Sequence, residues 1–191
     1  MDIVLPSKPR IISETEEKGV YEIDGLYPGY GHTLGNSLRR ILLSSLPGAA
    51  ITQVKIKGVS HEFSTIEGVK EDVVELALNL KKVRFRIHTD EPQVLLLKVK
   101  GEKVATAADI ETNSNVDLIT PESPIATLTS KDAVLDVEIT VEKGLGYLPV
   151  EARNSDKLPI GVVAVDALFS PVVKVNFTVE NMRVGDRADY N

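Results

Sequence analysis

The sequence predicts an α+β fold built from antiparallel sheets with two main helices. Three observations carry this. Several segments alternate apolar and polar residues with period two. Two segments repeat apolar residues at helical spacing. Few strand–helix–strand crossover units separate them.

Residues 10–13 and 20–23 are expected as paired strands joined by the charged turn 14–19, and the GLYPG stretch at 25–29 breaks the pattern. Residues 31–48, GHTLGNSLRRILLSSLPG, then read as the first helix. Thr33 is positioned to cap its start, and Pro47-Gly48 to stop it. At about 100° per residue, Leu34, Leu38, Ile41, Leu42 and Ser45 fall on one stripe that can bury against a core. Asn36, Arg39, Arg40 and Leu43 lie on roughly the other side. Arginine with apolar neighbours is typical of interface anchors, although amphipathic helices with arginines on the wet side are also common.

Residues 51–57 alternate as a half-buried strand, with Val54 and Ile56 on one face. Residues 69–80 read as the second helix, with Val69, Val73, Leu76, Ala77 and Leu80 as its apolar stripe. Acidic residues near its start and Lys81-Lys82 at its end suit the helix dipole. Val83, Phe85 and Ile87 alternate with Arg84, Arg86 and His88, and residues 93–100 are apolar in the middle. Residues 105–130 are rich in Thr, Asn, Ser and Pro and are expected as loops with one short strand near 116–119. Strict alternation returns at 135–142 and at 173–179, with a glycine turn at 144–146.

Composition narrows the function. The 191 residues suffice for one large domain or two small ones with sizeable cores. Twenty-two basic against 28 acidic residues give a net charge of -6, which is not the balance of a general nucleic-acid sleeve. The absence of tryptophan and the 5% aromatic content argue against a base-stacking platform. With no cysteine, disulfides, thiolate metal sites and cysteine nucleophiles are excluded. The N-terminus lacks the pattern of a secretory signal, and the apolar runs are too short to span a bilayer.

No catalytic constellation is visible. Gly29-x-Gly31-x-x-x-Gly35 has one residue too many for a dinucleotide loop and lacks a clean apolar strand before it. His32, His61 and His88 have no spacing for a metal site, no strained serine turn exists, and no run of aspartates could hold two magnesium ions. No cofactor is expected. The basic residues Lys81, Lys82, Arg84 and Arg86 read by default as a solvated face.

Three strings taken in order carry a resemblance: GHTLGNSLRRILLSS, then HEFSTIEGVKEDVVELALNLK, then PIGVVAVDALFSPVVKVNFTVE. Together they resemble the N-terminal domain of the bacterial DNA-directed RNA polymerase alpha subunit, over nearly the whole chain. The resemblance implies a discontinuous dimerisation subdomain, residues 1–47 and 171–191, with a second subdomain inserted at 48–170. It implies a non-catalytic, cytoplasmic assembly scaffold that pairs with itself and then binds the beta and beta-prime subunits. The first helix would pair two copies, with Leu34, Leu38, Ile41 and Leu42 at the dimer interface. Arg40 foremost, with Asn36, Arg39 and Leu43, would face beta, and Lys81 and Val165 would face beta-prime. The family continues past this point with a further helix, a linker and a small DNA-binding domain. The chain ends at Asn191, so a fragment with no direct DNA contact is the expectation. A dimerising adaptor for another complex, an enzyme using the glycine loop, and a DNA-binding protein are the alternatives.

Overall fold

The computed structural model describes residues 7–152, 159, 161–184 and 187–190. It shows an α+β protein in which every ladder among the described residues is antiparallel. The chain divides into two compact units. One is residues 1–43 with 174–191, and the other is residues 44–173.

The chain opens with a hairpin of β1 (Arg10–Glu14) and β2 (Gly19–Glu22), whose Arg10 and Glu22 side chains pair across the strands at 2.9 Å. Helix α1 (Tyr30–Ser44) follows Gly29, whose φ of +84° a side chain would strain. Thr33 therefore lies inside the helix and does not cap it, and its carbonyl accepts from the Ser37 hydroxyl at 2.8 Å. The helix also ends before Pro47-Gly48, and these two residues begin β3 (Pro47–Ile56). Proline is tolerated there because the first residue of a strand need not donate to the ladder.

Helix α2 (Val73–Leu80) is shorter than its apolar stripe suggests. Val69 bridges to Leu128, the Lys70 amide donates to the Thr127 carbonyl, and Glu71 accepts from both the Thr127 amide and hydroxyl. Residues 69–71 thus run along a strand edge. Asp72 then caps the helix, its carboxylate accepting from the Glu75 amide at 2.7 Å.

Beyond α2 come β4 (Phe85–Ile87) and β5 (Gln93–Lys100). The stretch expected as loops holds more strand than its composition suggests: β6 (Lys103–Thr106), β7 (Ile110–Glu111), β8 (Val116–Leu118) and β9 (Pro124–Leu128). The long β10 (Val134–Leu145) is followed by β11 (Tyr147–Leu148), β12 (Val162–Ala164) and β13 (Ala167–Leu168). Residues 173–179 keep their alternation, but no ladder forms along them in the described structure. A last hairpin pairs β14 (Met182–Val184) with β15 (Arg187–Tyr190).

The unit 44–173 is organised by one seven-stranded sheet in the order β7-β5-β10-β3-β4-β8, with β12 also paired to β3. Leu135, Val137, Ile139 and Val141 of β10 are fully buried, as are Leu95 and Leu97 of β5 and Val73, Leu76 and Leu80 of α2. These residues form one core, and each large side chain removed from water contributes about 1.5–3 kcal/mol. Where the sheet ends, Gly48 and Gly144 stand opposite each other in the β3–β10 ladder. Phe169 seats on this pair: a Cβ on Gly144 would lie 2.6 Å from its ring, and a Cβ on Gly48 would collide with its carbonyl oxygen. The Phe169 amide donates to the Gly146 carbonyl at 2.8 Å, which closes the seat.

Candidate protein-docking site

Helix α1 is amphipathic, yet Gly31 is its one buried residue. Of the apolar stripe, Leu34 and Leu42 are half-buried, while Leu38 is 40% and Ile41 54% exposed. Close packing occurs at Gly35, where an added Cβ would strike the Phe177 ring, and at His32, whose ring meets Phe177 edge-on at 6.3 Å. Asn36, Arg39 and Arg40 are exposed and Leu43 is half-buried. The helix thus presents apolar side chains and guanidinium groups to solvent together, a combination enriched at protein interfaces.

The second group of expected contact residues lies where α2 ends. Lys81 Nζ sits 3.2 Å from Asp166 Oδ2 and 5.6 Å above the centre of the Tyr147 ring. The Val150 amide donates to Asp166 Oδ1 at 3.0 Å. That amide holds the Asp166 carboxyl below the usual carboxylate range; partial burial opposes the shift, and the Tyr147 hydroxyl and Lys81 reinforce it. The same hydrogen bond to Asp166 raises the Tyr147 phenol, with burial and the nearby charges of Asp166 and Glu151 adding to it. Val165 is only 6% exposed and packs in the main core, so its side chain has little surface to offer. Its neighbour Asp166 carries the accessible chemistry, and only the fold brings it to Lys81, 85 positions away in sequence.

The other basic residues do not form a phosphate cradle. Lys82 reaches Asn79 Oδ1 at 3.1 Å, Arg84 donates to the Leu168 carbonyl at 3.1 Å, and Arg86 stands across the ladder from Asp117. His61 Nδ1 lies 3.1 Å from the Ser64 hydroxyl, and His88 Nε2 lies 2.9 Å from Asp117. Among the described residues no three His, Asp or Glu side chains converge as metal ligands. No helix among them is long and apolar enough to cross a membrane.

Comparison with known proteins shows which family the chain belongs to. The family model of the RNA polymerase Rpb3/RpoA insert domain matches residues 54–170. The DNA-directed RNA polymerase subunit alpha of Roseiflexus castenholzii is 51% identical over 191 residues, covering 100% of this chain and 58% of the relative. The subunit alpha of Herpetosiphon aurantiacus is 50% identical over 191 residues, covering 100% of this chain and 57% of the relative. That of Symbiobacterium thermophilum is 51% identical over 188 residues, covering 96% and 59%. The chain therefore spans rather more than half the length of the curated relatives it matches. Fold and matched domain place it in the class of RNA polymerase subunits that carry this insert domain. Within that class the chain belongs to the bacterial DNA-directed RNA polymerase alpha-subunit family.

Proposed function

We propose that this chain is the assembly scaffold of a bacterial RNA polymerase and makes or breaks no bond itself. Two copies pair through the Leu34, Leu38, Ile41 and Leu42 stripe of α1, within a dimerisation subdomain of residues 1–47 and 171–191. Residues 48–170 form the inserted subdomain. Arg40, with Asn36, Arg39 and Leu43, faces the beta subunit. Lys81 and the segment that carries Val165 face beta-prime. The work is done in the cytoplasm by burial and orientation of surface, with no direct DNA contact from these residues.

The observation that supports this reading most is the exposure of Leu38 and Ile41 on a helix that also displays Arg39 and Arg40. Large apolar side chains left in water beside arginine gain free energy when a partner covers them. Arginine suits the second role because its planar fork makes several directed bonds to carboxylates or carbonyls, which lysine cannot match.

The test is retention of beta by the tagged chain. Arg40→Ala is expected to lose roughly 90% of the beta retained by wild type, a tenfold change equal to about 1.4 kcal/mol, with an unchanged circular dichroism spectrum. Normal retention by a folded Arg40→Ala chain overturns the assignment.

A further inference from the structure

The cluster at the end of α2 joins three segments that are distant in sequence. Lys81 follows the last turn of α2, Tyr147 lies on β11, and Asp166 lies between β12 and β13. One carboxylate oxygen of Asp166 takes the Val150 amide and the other takes the Lys81 ammonium. The Tyr147 ring lies beneath that ammonium, and more than half of the Tyr147 surface is open to solvent. A lysine on a four-carbon stem normally samples many rotamers, and ordering it at the moment of binding costs entropy. Here a carboxylate and a ring fix it in advance.

We propose that Asp166 is a positioning residue for subunit docking: with Tyr147 it holds the Lys81 ammonium in a set orientation for an acidic or carbonyl group of the beta-prime partner. This rests on the reading that Lys81 faces beta-prime. The ammonium has three donor hydrogens, and the single contact to Asp166 leaves donors for a partner. Preorganisation of this kind raises affinity by removing ordering cost, without adding a contact. Arg84, anchored on the Leu168 carbonyl beside the same segment, adds a second cation to offset Asp166 and Glu151, so the Lys81 ammonium stays available to an acidic or carbonyl group.

The test is co-purification of both large subunits with the tagged chain. Asp166→Asn keeps an oxygen for the Val150 amide and removes the charge that holds Lys81. It is expected to lower retained beta-prime by roughly fivefold to tenfold while beta stays at the wild-type level. Lys81→Met is expected to do the same, and the double variant to be no worse than either single one. Asp166→Glu is expected to restore much of the retention. Asp166→Asn and Lys81→Met are both expected to keep the wild-type circular dichroism spectrum and the wild-type level of beta, which separates lost positioning from lost folding. Normal beta-prime retention by Asp166→Asn, with loss in Lys81→Met, overturns the positioning role and leaves the docking reading standing. Normal retention by Lys81→Met overturns both. Loss of beta together with beta-prime in Asp166→Asn shows the cluster to be merely structural and also overturns the proposal.

Discussion

The two units of the chain differ in what they keep from water. In residues 44–173 the sheet and α2 bury a continuous core, with Val54, Leu76, Leu97, Leu135 and Ile139 all inaccessible. In residues 1–43 and 174–191, Leu26 is the one buried large apolar side chain among the described residues. Ile11, Ile12, Tyr21, Tyr30, Leu38 and Ile41 of that unit are exposed. A unit that leaves this much apolar surface in water has little stability of its own to draw on and much to gain from a partner. The sheet unit keeps its core from water, and in the function proposed above α1 supplies the surface for association.

Substitutions separate the two roles. The largest loss is expected in the core: Leu97→Ala, at a fully buried position paired to Val137, lowers unfolding free energy by about 2–5 kcal/mol in urea titration. Next comes the glycine seat. Gly144→Ala drives a methyl into the Phe169 ring and is expected to lower stability by about 1–3 kcal/mol, with matching loss of the thermal midpoint. Asp72→Ala removes the cap of α2 and is expected to lower it by about 1 kcal/mol.

Glu71 gives a smaller effect that depends on pH. Burial works against its charge, but the Thr127 amide and hydroxyl outweigh it and hold the carboxyl below the usual glutamate range. Because the folded value lies below the unfolded one, its stabilisation is complete above about pH 4.3 and fades as pH falls through the folded value. The thermal midpoint of Glu71→Gln is therefore expected to lie below wild type at pH 7 and to converge with it in acid. The smallest effect on stability belongs to α1. Ile41→Ala is expected to shift unfolding by no more than about 0.5 kcal/mol while weakening self-association, read by light scattering. A shift as large as that of Leu97→Ala would erase the contrast between the units.

Legibility in the sequence follows range. The β10 alternation from Leu135 to Val141 and the apolar centre of β5 are written locally, and both strands form there. The start of β3 at Pro47 was illegible because the reason Gly48 must lack a side chain is Phe169, far along the chain. The helical stripe continues back to Val69, but the pairing of residues 69–71 with β9 overrides it. Strands β6 and β9 hid in a Thr- and Pro-rich stretch because the residues they bury, Ala105, Ile125, Ala126 and Leu128, do not alternate strictly with polar ones. The α1 residues of the candidate site were legible because a single helix displays them. The Lys81–Asp166–Tyr147 cluster was not, since no local spacing links its members.

The central claim is that the exposed stripe of α1 is surface reserved for subunits. Hydroxyl-radical footprinting of the chain, free and assembled with the large polymerase subunits, tests it side chain by side chain. Leu38 and Ile41 are expected to react readily in the chain diluted until it is monomeric and to be shielded once it is paired and assembled, while Leu97 and Leu135 stay unreactive in both. Equal reactivity of Leu38 and Ile41 in the monomeric and assembled states would contradict it.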